Sequence, residues 1–218
     1  KVRYQGSILG YLWSLLKPLF LFAILYIVFT YIIPLGKDIQ HYPVYLLTGI
    51  VLWNFFTEAT MQGASSVVAR GDLIRKVSIP RYLVVIASTL SALINLGLSL
   101  VVVVIFALFN GVMPSLSWLM MIPIILELIL LATGISFLLS AMYVKFRDIT
   151  YIWEIFLQAG FYATPIIYPL TKVPEQFHKW FFINPMAQII QDARYAMVTN
   201  TTTTIWSSVH SLIVLSAP

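Results

Sequence analysis

The side chains able to do covalent or metal chemistry in this sequence are few and scattered. Asp38, Asp72, Asp148 and Asp192 form no convergent pair, and His41, His178 and His210 lack ligand spacing. The sequence has no cysteine, which removes disulfides, iron–sulfur clusters and thiolate metal sites. An enzyme acting at a membrane surface needs clustered acids or metal ligands, so catalysis is not the reading these residues favour. The charge that does cluster is cationic. It runs Arg70-Gly71-Asp72-Leu73-Ile74-Arg75-Lys76-Val77-Ser78-Ile79-Pro80-Arg81. Asp72 is expected to cap a short helix, and Pro80 to end it. Leu73 and Val77 fall one helical turn apart with Ile74 beside them. An apolar ridge flanked by Arg75 and Lys76 suits insertion into a groove on a partner protein. A second short charged connector is Lys145-Phe146-Arg147-Asp148, where Asp148 is expected to cap the helix that follows.

The elements that hold these connectors are long apolar stretches. They run from Pro18 to Pro34, Pro43 to Ala69, Tyr82 to Phe109, Trp118 to Val144 and Ile149 to Leu170, and another begins near Ile205. A helix needs about 20 apolar residues to cross the hydrocarbon of a bilayer. The composition agrees: 60% hydrophobic, 10% charged and mean hydropathy +0.92, where an ordinary soluble domain has about 25% charged residues. One helical membrane domain spanning 1–218 is expected. Because the sequence starts without Met and stops inside an apolar run, it reads as a fragment lacking a leader and part of the sixth span. The net charge of +5 is carried by connectors and does not point to nucleic acid.

Basic residues in short loops mark the cytoplasmic face. Lys1, Arg3, Lys17, Arg70, Arg75, Lys76, Arg81, Lys145 and Arg147 fall on one side, against Lys37, Lys172, Lys179 and Arg194 on the other. The N-terminus is therefore expected in the cytoplasm, and the charged connectors with it.

Three segments depart from plain spans. Residues 3–17 carry a polar stripe at Arg3, Ser7, Gly10, Ser14 and Lys17, with Tyr4 and Leu12 opposite and Trp13 alongside. This pattern suits a helix lying in the headgroup layer, with a turn into the first span at Pro18. The second span holds a small and polar run from Thr57 to Ser66. It includes Glu58, an intramembrane carboxylate whose plainest role is a hydrogen bond to a neighbouring helix. After Tyr162 the fifth span is interrupted by Thr164-Pro165-Ile166-Ile167-Tyr168-Pro169. Phe177, Trp180 and Phe181 then share a helical face, Asn184-Pro185 breaks the run, and Met186, Ile189, Ile190, Ala193 and Met197 form a second face. Non-helical backbone at membrane depth must be covered by protein or line a cavity. A re-entrant pair shaping an outer gate is expected here.

The opening Arg3-Tyr4-Gln5-Gly6-Ser7-Ile8-Leu9-Gly10-Tyr11-Leu12-Trp13-Ser14-Leu15-Leu16-Lys17-Pro18 resembles the interface segment of ABC-2 type export permeases. Within them it is most similar to the branch exporting lipid-linked polysaccharide such as O-antigen, capsule or teichoic acid. The stretch from Arg70 to Arg81 resembles that family's first cytoplasmic coupling loop, and Phe146-Arg147-Asp148-Ile149 its second. Pro165-Ile166-Ile167-Tyr168-Pro169 and Asn184-Pro185-Met186 resemble its outer elements. The resemblance implies an all-α integral membrane domain of six transmembrane helices, with an N-terminal amphipathic interface helix and short re-entrant helices before the last span. It also implies a homodimer in the bacterial plasma membrane, paired with separate nucleotide-binding subunits that bind ATP and Mg. The sequence has no Gly-x-x-x-x-Gly-Lys-[Ser/Thr] phosphate loop of its own. On this reading Tyr26, Phe29 and Tyr31 in the first span, with Phe161, Tyr162 and Tyr168 in the fifth, are candidates to line a substrate path. Rings support the C–H faces of sugars, and phenol donors meet their hydroxyls.

Overall fold

The computed structural model describes residues 12–33, 39, 41–77, 80–169, 173–174 and 183–199. Within them the chain is helical. The helices are α1 (Leu12–Ile27), α2 (Tyr42–Ala69), α3 (Gly71–Val77), α4 (Arg81–Phe109), α5 (Met121–Lys145), α6 (Ile149–Ala163) and α7 (Pro185–Arg194). A π-helical turn, Val28–Ile32, extends α1. A 3-10 turn, Leu116–Met120, leads into α5, and Tyr195–Thr199 extends α7.

Among the described residues, three helical segments are long and apolar enough to cross a membrane: Tyr42–Ala69, Arg81–Phe109 and Leu116–Lys145. Protein buries 78% of the apolar window of α2, against 28% in each of the other two. The second span is thus the central post, and α4 and α5 leave most of their surface uncovered in the protomer. Their patterning is the inverse of a soluble helix. On α4 the buried stripe is Ser88, Thr89, Ala92, Leu96, Ser99, Val103 and Ala107, mostly small, while Leu90, Ile94, Leu98, Val101 and Ile105 are exposed. Small residues let backbones approach where no hydrophobic drive separates protein from lipid. The buried hydroxyls of Ser88 and Thr89 donate back to the Val85 carbonyl, so neither is left unpaired.

The tightest contact joins α2 to α5. Gly63 lies so close to Ser136 that a methyl group there would overlap the serine side chain. Ser136 Oγ also donates to the Ala59 carbonyl on α2 at 3.3 Å and to the Ala132 carbonyl in its own helix at 2.6 Å. Gly63→Leu is expected to destabilise the bundle by about 1–3 kcal/mol, the usual cost of overpacking. A lowered melting midpoint in detergent would register it, and an unchanged midpoint would show that these helices do not pack at this distance.

One boundary differs from that expected, and another falls where the sequence puts it. The α1 helix runs through Pro18 instead of turning there, so Trp13 and Lys17 sit on the same rod as the first span. Proline removes one helical hydrogen bond, a loss tolerated in membrane helices when neighbours re-satisfy the backbone. Arg3, Tyr4, Ser7 and Gly10 lie outside the described residues. At the other end, α6 stops at Ala163, with Thr164 extended and its N–H donating to the Gly160 carbonyl at 2.8 Å. Its 15 residues span only about 22 Å, short of the roughly 30 Å hydrocarbon layer. Pro165 sets this limit, because the residue before a proline is driven out of helical geometry.

Two capping expectations also change. Asp72 lies inside the first turn of α3, so its carboxylate offsets the positive helix end without being the cap. Asp148 does occupy the N-cap position of α6, but with helical dihedrals (φ −77°, ψ −8°) and no side-chain cap bond. A capping side chain needs an extended backbone to reach its N–H groups. Pro80 falls three residues past α3 and serves instead as the N-cap of α4.

Candidate functional site

A groove of about 440 Å³ opens between α1, α2 and α6. Leu21 forms its α1 edge. Trp53, Asn54, Thr57 and Met61 line it from α2, and Glu154, Leu157, Gln158, Phe161 and Tyr162 from α6. These residues follow helical spacing: 53, 54, 57 and 61 on one helix, 154, 157, 158, 161 and 162 on the other. Each wall carries rings and an amide: Trp53 and Asn54 on α2, Phe161, Tyr162 and Gln158 on α6. Two contacts fix the α2–α6 distance. Trp153 Nε1–H donates to Thr60 Oγ1 at 3.0 Å. A Cβ at Gly160 would lie 3.0 Å from the Trp53 ring, so glycine is what lets that indole lie against α6. Thr57 Oγ1 is buried without a hydrogen-bond partner. Glu154 and Gln158 are exposed one turn apart on α6. Bare hydrocarbon is a costly environment for a carboxylate and a carboxamide, so this face calls for water, ligand or protein.

Of the rings expected along a path, the structure brings Phe161 and Tyr162 into this groove. The other four are absent from its described lining. Tyr26 stacks between Phe22 and Tyr42, at 5.7 and 6.5 Å between ring centroids. Phe29 packs against the core. Tyr31 is 73% exposed on the π-helical turn. Tyr168 folds back, its hydroxyl donating to the Tyr162 carbonyl at 3.1 Å, where α6 runs out of internal donors. Trp53, Asn54 and Gln158 went unread in the sequence. Gln158 had a usable signal, being four residues after Glu154 within an apolar helix.

Glu58 faces away from the groove. Its Oε1 accepts from Gln62 Nε2 at 2.7 Å and from Asn95 Nδ2 on α4 at 2.9 Å, which ties α2 to α4.

The broken segment after α6 is organised by a residue the sequence reading counted only as a loop charge. Arg194 is 2% exposed. Its Nη1 and Nη2 donate to the carbonyls of Pro165 and Ile166, each at 2.6 Å, and its Nε donates to the Tyr45 carbonyl at 3.1 Å. The guanidinium also lies 3.5 Å from the Tyr45 ring centroid. One planar fork thus joins α7, α2 and the turn that ends α6. Asn184 closes the other end of α7. Its side chain accepts from the Met186 N–H at 3.1 Å and donates to Thr164 Oγ1 at 3.0 Å, with Pro185 as the first helical residue. Phe177, Trp180 and Phe181 lie outside the described residues.

The two charged connectors leave the bundle at one end, since Val67, Arg81 and Val144 border a common groove there. Asp72 and Lys76 are exposed on α3 and Ile74 is half-buried, while the side chains of Leu73, Arg75 and Val77 lie outside the described set. Phe146, Arg147 and Asp148 are exposed. Lys145 sits 5.2 Å from the Phe146 ring centroid, and Arg147 the same distance from that of Tyr143. The second connector is therefore a compact knot of cation–ring contacts beside α3.

Comparison with known proteins agrees with this architecture. Residues 1–198 match the family described as ABC-2 type transporter. An O-antigen export system permease protein, RfbA of Klebsiella pneumoniae, is 32% identical over 202 residues, covering 92% of this chain and 77% of that protein. Its namesake in Myxococcus xanthus is 28% identical, over 87% of this chain and 73% of that one. The polysialic acid transport protein KpsM of Escherichia coli is 22% identical, over 91% and 77%. With nearly its whole described length matched in this way, the chain belongs to the ABC-2 type transporter family.

Proposed function

We propose that this chain is the permease subunit of an exporter that carries lipid-linked polysaccharide from the cytoplasmic to the outer face of a bacterial plasma membrane. Two copies form the path, and a separate nucleotide-binding subunit hydrolyses ATP with Mg. The observation that carries the reading is the groove between α1, α2 and α6, where the rings of Trp53, Phe161 and Tyr162 share one lining with Asn54, Thr57, Glu154 and Gln158. A glycan offers apolar C–H faces and dense hydroxyls, and a wall of rings and amides answers both. A drug or simple lipid would not need the polar half. The O-antigen and polysialic acid relatives support the same substrate class. The N-terminus lies in the cytoplasm, so α3 and the 146–148 connector face the ATPase. Closure of the ATPase pair on nucleotide pushes α3 through Leu73, Ile74 and Val77, with Arg75 and Lys76 alongside and Asp72 at its start. Phe146, Arg147 and Asp148 form the second contact, and rigid α2 and α4 carry the displacement inward.

Deleting the gene should leave lipid-linked glycan inside the cell and strip it from the surface, with recovery on complementation. Retention of a small lipid or drug instead would overturn the substrate class. The paired change Leu73→Asp and Val77→Asp should abolish copurification of the ATPase and reduce export to background, since two charges would enter an apolar socket. Undiminished partner binding and export would remove α3 from the coupling role.

A further inference from the structure

A second groove, of about 370 Å³, lies between the N-terminal end of α4, the C-terminal end of α5 and α2. It shares no described lining residue with the groove between α1, α2 and α6. Its walls are apolar, formed by Val67, Val85, Phe137 and Val144 among others, and Arg81 is the only charged residue among its described lining. Ser140 contributes a hydroxyl already donated to the Phe137 carbonyl at 2.9 Å. Arg81 and Tyr82 are exposed at the rim. The neighbouring cations Lys145 and Arg147 are engaged with rings.

The geometry points to a binding site for an anionic phospholipid in the leaflet that carries α3 and the 146–148 connector, with its phosphate on Arg81 and an acyl chain in the cleft between α4 and α5. Three observations select this occupant. The site lies where two membrane-facing helices reach the charged connectors, which is headgroup level. Its cavity is apolar below and cationic at the rim, the polarity of a phospholipid and not of a sugar. Arg81, the one cation among its described lining, matches a monoanionic headgroup, and basic pockets between helices at this depth hold acidic lipids. Bound there, the lipid would touch α4 one residue after Pro80, where the chain returns from α3, so occupancy would bear on how firmly the coupling segment is seated.

The test is native mass spectrometry of the detergent-purified transporter with its partner subunit, titrated with phosphatidylglycerol or phosphatidylcholine. The wild type is expected to retain phosphatidylglycerol in preference. Arg81→Gln should weaken that retention about fivefold, the factor one cation near an acidic membrane surface contributes, and Arg81→Lys should preserve most of it. Lys17→Gln, an exposed cation on α1 outside this lining, should leave it unchanged. A Phe137→Trp reporter should be quenched by brominated phosphatidylglycerol more than by brominated phosphatidylcholine, and excess soluble glycerol phosphate should not relieve the quenching. Equal retention by Arg81→Gln, equal loss in Lys17→Gln, equal quenching by brominated phosphatidylcholine, or relief of quenching by soluble glycerol phosphate would each overturn the assignment.

Discussion

Arg194→Met is expected to lose a large part of the fold's stability. The substitution removes a buried cation, which elsewhere can be neutral when both halves of an ion pair are replaced together. Here the acceptors are backbone and stay behind. The carbonyls of Pro165 and Ile166 would lose the donors now at 2.6 Å, and each unsatisfied buried carbonyl costs about 1–3 kcal/mol. Together they threaten about 2–6 kcal/mol of a stability that for most folds totals only about 5–15 kcal/mol. Loss of the ring contact with Tyr45 adds to this. Arg194→Lys should recover only part, because an ammonium is a point donor that cannot serve three carbonyls on two segments. Size-exclusion profiles after graded heating would rank wild type above Lys above Met. Coincident profiles for wild type and Met would show that the fork is not what holds the outer turn.

Gly49 offers an independent approach to the same lock. A Cβ there would stand 2.6 Å from Arg194 Nη2 and 3.2 Å from Ile166 Cγ2. Gly49→Ala should therefore destabilise the wild type but cost less in the Arg194→Met background. That non-additivity is what a double-mutant cycle detects between residues in contact.

What the sequence disclosed, and what it hid, follows from the range of the forces involved. The membrane helices were legible because hydropathy is local: eighteen consecutive positions of α4 suffice to call a span. The early end of α6 was legible too, since Pro165 and Pro169 act within a residue or two of themselves. Pro18 carried the same local signal and misled, because whether proline ends a helix or sits inside one depends on what packs around the lost hydrogen bond. Asp148 stood at the right position but in the wrong dihedral well for capping, and its sequence neighbours gave no sign of that. Arg194 was the hardest to read. Its role exists only once carbonyls 28 and 29 residues earlier and a ring 149 residues earlier are brought to it. The groove was half legible: Phe161 and Tyr162 were found as aromatics, whereas Trp53 looked like core and Gln158 like an incidental polar residue.

Glu58 and the α6 pair Glu154 and Gln158 show how similar side chains divide between frame and path. Glu58 is answered by amides on its own helix and on α4, which makes it a rivet. Glu154 and Gln158 are exposed beside rings, on a helix too short to cross the membrane and tethered at its end by Tyr168 and Arg194. The groove lies along the seam between α6 and α2, which the Trp153–Thr60 hydrogen bond and the packing of Gly160 on Trp53 hold at a set distance.

The absence of cysteine allows a direct test of that face. Gln158→Cys and Asn54→Cys are expected to react with a charged, membrane-impermeant methanethiosulfonate in the assembled transporter, because a hydrated wall permits the thiolate that does the chemistry. Phe156→Cys should not react. Phe156 is also bare in the protomer, at 68% exposed, but helical spacing puts it on the side of α6 opposite the groove's described lining, where hydrocarbon would disfavour a thiolate. Attaching a bulky adduct at Cys-substituted Gln158 should then cut glycan export by at least about tenfold, as a plug in a narrow path does. ATPase copurification should persist, since the coupling segments are untouched. Labelling that ignores position, or full export through a modified groove, would move the path elsewhere in the assembly and leave the α6 polar face as a protein–protein contact.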